Sequence, residues 1–588
     1  MELIHNLGRK TIRKAVDPAS GASLMLAGSG SYLWTGPTVA SRYQGWFFGL
    51  EGSRLLKIID DIRAASGGDT VALENNFWNI KKIRTDISET FYIFGADCLA
   101  YESSRFAPVG FFLDIKEPYK NPEIGHNYQV RIEENLILIK YHLEGASQSP
   151  DVFLAVAGDF DGAKIKQEWI CRDYGFDRRR NSAPWQRWVF APAELNASKL
   201  VFAAGFSEDG AARAARNYWR DFEKIKWGLC QEQAKQSPAG ENGMAKCGAQ
   251  NALRFLAVEK EGFAGLRAGL PWFFQFWQRD EAVSLAGIDC FYPKLACDIF
   301  WEQIKELTEN GFHFDTADGI GWLFLRAAGF YANGRFNFKE IAAISAPLQN
   351  SIDWLLKNNT QNNLAVMNAE KTWMDSLDRS GAGIEIQALR LNMYALAADF
   401  AADGKQKSYY SQLEDNLRNN ARMLFFDGKN MADRFDVGNN KLDLAIRPNI
   451  FLAAYIYPDL LSKNEWIAVF ENALEKLWLD WGGLSTIDKN DARYRGCDTG
   501  ENPTAYHNGD SWFWVNNIAA IAMNRVDKNR FKDYIKKIFE AGKNDILWNG
   551  AIGCAGEISS AQSYDPAGCP NQAWSNATFL ELCAELKI

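Results

Sequence analysis

The pattern of apolar and polar positions changes once along the chain, near residue 230. Before it, short apolar runs alternate with turn signals: Phe91–Leu99, Val109–Ile115, Tyr128–Leu143, Val152–Phe160, Arg187–Phe190 and Lys199–Phe206. Stretches such as Leu136-Ile137-Leu138-Ile139-Lys140-Tyr141 are β-branched and aromatic, side chains that suit a pleated, half-buried surface. Many short strands with turns between them predict a β-sandwich or related two-sheet domain over residues 1–228, closed by a helix over Ala211–Trp227. The stretch 229–243, polar from Gln231 and centred on Ser237-Pro238-Ala239-Gly240, reads as a linker.

From 244 to 588 the period becomes helical. It predicts twelve helices, over 244–259, 279–288, 293–308, 319–332, 338–358, 384–402, 406–425, 448–458, 463–479, 512–525, 529–543 and 571–586. Ser462-Lys463-Asn464-Glu465 is a capping box that opens the ninth. Lys294, Asp298, Glu302, Lys305 and Glu306 share one side of the third, as on a surface helix. The sixth is apolar nearly all round, through Ile384, Ile386, Leu389, Leu391, Met393, Leu396 and Phe400, as in a helix buried on every side. Alternating surface and buried helices predict an (α/α)6 toroid, six inner helices ringed by six outer ones. A helical solenoid would show a fixed-period repeat, and the sequence has none.

Composition narrows the chemistry. The 588 residues are 47% hydrophobic and 23% charged, which excludes a disordered chain. A net charge of −8 and a pI of about 5.5 leave no broad attraction to nucleic acid. The one compact basic run, Arg178-Arg179-Arg180, is flanked by Asp173 and Asp177 and reads as a solvated turn or an internal salt-bridge donor. The ten cysteines are scattered, with no Cys-x-x-Cys pair, so a reducing compartment is expected. Met1 to Asp17 lacks the apolar stretch of a signal peptide, and no uncharged apolar run reaches the roughly 18 residues of a membrane span. A cytoplasmic protein with neither membrane nor nucleic acid as partner is the expectation. Five His against 21 Trp argue against a multi-histidine metal site and shift acid–base chemistry to carboxylates.

The unusual residues fall before the even-numbered predicted helices: Pro271–Asp280, His313–Asp318, Thr372–Glu385, Asp443–Asn449, Asp498–Trp512 and Asn549–Trp574. Alternate loops of a toroid emerge at one end. These segments therefore converge on one funnel lined by Trp272, Trp277, Trp373, Trp512, Trp574, Tyr506 and several carboxylates. Trp34, Trp46 and Trp185 read instead as core or domain interface. Indoles pack on the C–H faces of a pyranose, and its hydroxyls take paired polar partners such as Arg279 and Asp280.

Cleaving a glycosidic bond needs two carboxyl groups flanking it. The candidates are Asp280, Asp315, Asp318, Asp375, Asp378, Glu385, Asp498, Glu501, Asp510 and Glu557, each with a surface or capping role as its alternative. Two stand out. Asp375 follows Trp373 and Met374, an apolar wall suited to raising a carboxyl pKa for acid work. Glu557 lies in the small-residue loop Gly553-Cys554-Ala555-Gly556-Glu557-Ile558, which leaves room for a ligand.

Pro271-Trp272-Phe273-Phe274-Gln275-Phe276-Trp277-Gln278-Arg279-Asp280 resembles the Trp-Gly-Arg-Asp segment in the glucosidase part of glycogen debranching enzymes. Thr372-Trp373-Met374-Asp375 with Glu385-Ile386-Gln387-Ala388-Leu389 is similar to their Thr-Trp-Met-Asp…Val-Glu-Ile-x-Ala-Leu block. Arg447-Pro448-Asn449, Tyr494-Arg495-Gly496, Ala505-Tyr506-His507-Asn508-Gly509 and Gly568-Cys569-Pro570-Asn571-Gln572-Ala573-Trp574-Ser575 follow in family order. Upstream, Ser41-Arg42-Tyr43-Gln44-Gly45 is similar to the Arg-Arg-Tyr-His-Gly of the family's N-terminal β-domain. The chain thus resembles the amylo-alpha-1,6-glucosidase family, related to archaeal glucoamylase-like enzymes, over nearly its whole length.

The resemblance implies an N-terminal β-sandwich and a C-terminal (α/α)6 barrel of the six-hairpin glycosidase type. It implies exo-acting, inverting release of glucose from non-reducing ends of starch- or glycogen-like α-glucans, through α-1,4 or α-1,6 bonds, with no cofactor or metal. Carried over by motif, Asp375 is the general acid and Glu557 the general base. Trp277, Arg279, Asp280, Trp373, Glu385, His507, Gln572 and Trp574 hold the non-reducing glucose, with Trp272, Tyr506 and Trp512 beside them. The chain departs from the pattern at Gln278, where the family has Gly, and in a shorter loop between Glu557 and Cys569 without the Phe-Asp-Gly-Asp-Pro-Pro string. No second barrel for glucan transfer is expected. A trehalase or other α-glucoside hydrolase on the same scaffold and a non-catalytic glucan-binding protein are the alternatives.

Overall fold

The computed structural model describes residues 3–6, 11–16, 21–28, 30–50, 54–145, 150–236, 238 and 240–588. Its first strands are β1 (Leu3–Asn6), β2 (Thr11–Ala15), β3 (Leu24–Gly28), β4 (Ser31–Thr35), β5 (Gly45–Gly49) and β6 (Leu55–Ala64). Then come β7 (Thr70–Asn75), β8 (Ile80–Arg84), β9 (Ser88–Gly95), β10 (Cys98–Lys116) and β11 (His126–Glu133). β12 (Leu136–Leu143), β13 (Val152–Gly158), β14 (Asp161–Asp173) and β15 (Gln186–Gly205) complete the set. All are joined by hydrogen bonding into one branched antiparallel network.

Branching occurs at β10 and β15, which at 19 and 20 residues are long enough to serve two sheets. The Cys98–Ser103 half of β10 pairs with β9, and the Val109–Lys116 half with β6. One arm therefore runs β1-β2-β7-β8-β9-β10-β15-β13-β12-β11. The other runs β3-β4-β5-β6 onto β10, with β14 on β15. β3 packs back on β7, β8 and β9, so the arms enclose an apolar interior that includes Trp46, Phe47, Leu99, Tyr101, Phe111 and Phe202. Trp34 lies at the boundary with the helical region, edge-on to Trp272, while Trp185 is half-buried.

Several expected elements differ. Phe91–Leu99 is a hairpin, β9 turning into β10, and Tyr128–Leu143 is the hairpin β11–β12. Arg187–Phe190 and Lys199–Phe206 belong to the single strand β15, because nothing between them turns the chain. Charges interrupt the apolar run in β8 (Ile80-Lys81-Lys82-Ile83-Arg84), where they fall on both faces and Lys82 is buried.

The helices are α1 (Gly175–Arg179), α2 (Glu208–Arg220), α3 (Phe222–Ala234), α4 (Gly240–Leu256), α5 (Gln278–Asp289), α6 (Pro293–Glu309), α7 (Gly319–Ala332) and α8 (Phe338–Asn358). α9 (Ile384–Asp399), α10 (Gly404–Phe425), α11 (Asn449–Ile456), α12 (Lys463–Leu477), α13 (Phe513–Asp527), α14 (Lys532–Trp548) and α15 (Ala573–Leu586) follow. The helix expected over Ala211–Trp227 is two, α2 and α3, broken at Asp221. The linker expected over 229–243 is largely helical, since α3 runs to Ala234 and α4 starts at Gly240; residues 237 and 239 lie outside the described residues. The end of the first barrel helix is a strand, Ala257–Lys260, paired with Phe263–Leu266. The capping box forms at Ser462 and Glu465.

α5 packs on α7, α7 on α9, α9 on α11, α11 on α13, α13 on α15, and α15 returns to α5. α6, α10 and α14 pack outside α5, α9 and α13, and α4 lies on α15 and α14. α9, in the cyclic series, buries residues on every side. α10, outside it, buries only Tyr410, Leu417, Ala421 and Phe425. The loops that precede the members of the cycle carry the motifs.

Candidate active site

A cavity of about 570 Å3 opens at the N-terminal ends of the inner helices, against the sheet region. Trp277 caps α5, so Arg279 and Asp280 stand in its first turn. Arg279 spans the wall: its Nε donates to Asp318 Oδ1 at 2.8 Å, its Nη2 to the Lys371 carbonyl at 3.3 Å, and its Nη1 lies 3.7 Å from Asp375 Oδ2. The other Asp318 oxygen accepts from the Trp373 amide at 2.9 Å. One carboxylate at the start of α7 thus orients both the Arg279 guanidinium and the loop that carries Asp375.

Indoles form the deep wall. Trp373 meets Trp512 and Trp514 edge-on at 5.5 and 5.4 Å, and Trp514 stacks on Trp574 at 5.0 Å. Trp373 Nε1 donates to Asn449 Oδ1 at 2.7 Å, and Trp512 Nε1 to the Tyr506 carbonyl at 2.8 Å. Trp574 Nε1 and Gln572 Oε1 are buried without a hydrogen-bond partner among the described residues, and both residues line the cavity. Leaving such groups unsatisfied costs on the order of 1–3 kcal/mol each. A donor and an acceptor held dry on the wall match a ligand hydroxyl, which does both.

Asp375 and Glu557 both line this space, in different surroundings. Asp375 is half exposed into the cavity. Burial by the surrounding walls pushes its carboxyl up to about 6, against the pull of Arg279. Glu557 is 2% exposed. The Tyr506 hydroxyl donates to its Oε1, and the Cys569 amide donates to its Oε2 at 2.7 Å. Burial lifts it to about 7, against those two hydrogen bonds. Gly568 has φ +65°, and a Cβ there would sit 2.4 Å from Glu557 Oε2, so the loop needs glycine beside the carboxylate. The same loop is anchored from the sheet region. Ser23 exchanges backbone hydrogen bonds with Gly550 and Ile552 at 2.9 Å, and Asn75 Nδ2 donates to the Ile552 carbonyl at 2.7 Å.

Of the residues expected to act on or hold the sugar, all but Glu385 and His507 line the cavity. Glu385 is turned away, its two oxygens taken by Arg379, which also pairs with Asp433. His507 stacks on Trp512 at 5.0 Å behind the wall, its Nδ1 2.7 Å from Ser376 Oγ. Burial drives its pKa far below the usual histidine value and keeps the ring neutral. In this structure the two stand behind the indole wall and not in the cavity lining, with His507 Nε2 buried and without a hydrogen-bond partner among the described residues. Of the other carboxylates, Asp280, Asp498 and Glu501 reach the cavity. Asp315 is exposed on Lys371, and Asp378 is exposed on Ser380. Asp510 lies buried beside Asp498, pushed up to about 8 by burial and by that neighbour.

The sequence reading named no cavity residue from the sheet region. Arg42, Tyr43, Tyr119 and Arg180 line the same cavity. Arg180, from the run read as a solvated turn or an internal salt-bridge donor, lies 4.0 Å over the Trp272 ring and 3.4 Å from Glu501. The Tyr119 hydroxyl donates to the Trp272 carbonyl. The Ser41–Gly45 motif was the one signal pointing here; nothing local marks Tyr119 or Arg180. Among the described residues, no group of three or more His, Cys, Asp or Glu is placed to hold a metal ion. No described helix is long and apolar enough to cross a membrane.

Residues 315–581 match the family described as amylo-alpha-1,6-glucosidase, which bears out the resemblance drawn from the motifs over a segment holding both Asp375 and Glu557. The chain is also similar to the crystal structure of a bacterial glucoamylase complexed with acarbose. The identity is 13% and the TM-score 0.61, with 99% of this chain and 94% of that one covered. At that identity the likeness is one of fold. No curated protein matches the chain by sequence.

Proposed function

We propose, from the premise that residues 315–581 are an amylo-alpha-1,6-glucosidase family segment, that the chain is an inverting exo-α-glucoside hydrolase releasing glucose from α-glucan ends. In this reading a β-sandwich is set against an (α/α)6 toroid, which the cyclic packing of α5, α7, α9, α11, α13 and α15 supports. The observation that carries the function is the pair of carboxyls in one indole-walled cavity, one half exposed into it and one buried with a side-chain or amide donor on each oxygen.

Asp375, half exposed into the cavity with Arg279 3.7 Å away and its own backbone amide as its hydrogen-bond donor, is the general acid that protonates the glycosidic oxygen. Glu557 is the general base, since donors to both of its oxygens favour the carboxylate. It removes a proton from the water that attacks the opposite face of the sugar, which inverts the anomeric carbon. Their pKa values, about 6 and about 7, lie too close to assign roles, so hydrogen bonding decides them. Trp373, Trp512 and Trp574 form the sugar-facing wall, and Gln572, Asp280 and Arg279 take hydroxyls. A volume of about 570 Å3 falls in the range of small-molecule sites. The scattered cysteines, without a Cys-x-x-Cys pair, are in keeping with a reducing, cytoplasmic setting.

Proton NMR of the first product from an α-1,4 and an α-1,6 trisaccharide, run side by side, tests the proposal. β-Glucose appearing first is expected, and the relative rates report the preferred bond. α-Glucose appearing first overturns inversion.

A further inference from the structure

A second cavity, of about 510 Å3, lies beside the first, between the start of α7, the end of α8 and the start of α9. Its floor is apolar: Ile320, Leu355 and Ile386 are buried. Ile386 and Arg390 stand one turn apart on α9, so both face it. Trp354 forms a side wall, stacked on His313 at 4.4 Å with the rings 5° from parallel.

Arg390 is the informative group. Its residue is 4% exposed, and it makes one hydrogen bond, from Nη1 to Thr360 Oγ1 at 3.2 Å. No carboxylate pairs with it among the described residues. A guanidinium carries five N–H donors, so one hydrogen bond leaves Arg390, which lines the cavity, with donors to offer a ligand. At the mouth the chemistry reverses. Asp315, with its side chain 93% exposed, offers acceptor oxygens and neutralises Lys371 at 2.8 Å. Exposed Asn368 adds an amide that both donates and accepts. An anion would meet Asp315. A neutral polyol accepts from Arg390, donates to Asp315 and lays its C–H face on Trp354 and the floor.

We propose that this cavity is a second α-glucan-binding site, holding a short stretch of chain outside the catalytic cavity; it rests on α-glucan being the substrate. The two cavities share a wall. The Lys371 carbonyl accepts from Arg279 of the first cavity, and Asp318, three residues after Asp315, holds both Arg279 and the Trp373 amide. A chain gripped in the second cavity therefore abuts the loops that frame the first, and its tethering raises the local concentration of chain ends.

Calorimetric titration of maltoheptaose into the full-length Asp375→Asn chain tests this. Two sites are expected, one of them weakened about tenfold or more by adding Trp354→Ala or Arg390→Gln. In the otherwise unchanged chain, Trp354→Ala should leave maltose turnover within about twofold and raise KM for long glucans about fivefold. Trp354 is half-exposed, so its truncation tests the site even where Arg390→Gln fails to fold. A single site in Asp375→Asn, or two sites indifferent to Trp354→Ala, overturns the second site while leaving the catalytic proposal intact. Inorganic phosphate displacing the second ligand with higher affinity also overturns it, in favour of an anion site. Failure of the unchanged chain to release glucose from any α-glucan is the separate result that removes the catalytic proposal itself.

Discussion

Tyr506→Phe isolates one hydrogen bond on the proposed base. Tyr506 is half-buried and donates its hydroxyl to Glu557 Oε1, while the Cys569 amide continues to serve Oε2. A hydrogen bond to a charged group contributes about 1.5–3 kcal/mol. At about 1.36 kcal/mol per pKa unit, its loss raises Glu557 by roughly one to two units. The parent value is about 7, against about 6 for Asp375. The active form carries one proton, on Asp375 and not on Glu557. With the base one unit above the acid, about a tenth of the singly protonated enzyme has the proton in that place. Raising Glu557 further shrinks this fraction by roughly 10- to 100-fold. It also moves the alkaline limb of the profile upward by one to two pH units, because the second proton now leaves later. The acidic limb, near the Asp375 value, stays. The assay is kcat/KM on a maltooligosaccharide across pH 4–10, which reports the free enzyme. A variant with both the parent plateau and the parent alkaline limb would refute the hydrogen-bond reasoning.

Asp375→Asn and Glu557→Gln should each lower kcat by roughly 100-fold or more, the scale of positioned acid–base groups. Glu557 is raised well above the usual unfolded value, so its contribution to stability is present at acid pH and lost as pH rises through about 7. Glu557→Gln should therefore melt no lower than the parent at pH 8, and a lower melting temperature there would contradict the burial of the charge. Gly568→Ala places a Cβ 2.4 Å from Glu557 Oε2 at φ +65°. It should cost about 1–3 kcal/mol by denaturant unfolding and lower kcat about tenfold or more; parent kcat would show that the loop tolerates displacement of the base. Arg180→Met removes the cation over Trp272, a contact of about 0.5–2 kcal/mol. It should raise KM for maltotriose about three- to tenfold with kcat nearly unchanged, and an unchanged KM would show that the sheet-side wall does not meet substrate.

The buried cluster behind the indole wall explains why two motif residues are conspicuous in sequence without touching the cavity. Arg379 bridges Glu385 and Asp433, and Asn449 accepts from Trp373 Nε1 while donating to Asp433 at 2.7 Å. Trp373 is thus held from behind by a connected polar network, with His507 packed against its edge. Fully satisfied networks of this kind rigidify what they hold. A ligand-facing side chain and the group that orients it carry the same motif signature, and depth separates them.

By itself the sequence determined what is local. Helical periodicity reports one-sided or all-round burial over a few turns, so α6, α7 and α8 run nearly as predicted and α9 is buried on every side. The alternation of motif-bearing and ordinary loops gathered ten carboxylates and most of the indoles that share a cavity, and the family motifs singled out Asp375 and Glu557 among them. Tertiary structure decided what depends on distance across the chain. β10 and β15 span two sheet arms because partners far apart in sequence pair with their two halves. Arg180 and Tyr119 reach the cavity because the sheet region packs on the Glu557 loop through Ser23 and Asn75. Tyr506 becomes the partner of Glu557 across 51 residues, while Glu385 turns inward to Arg379. Periodicity says which face of an element is buried; only packing between elements says whether that face meets a ligand or the group behind it.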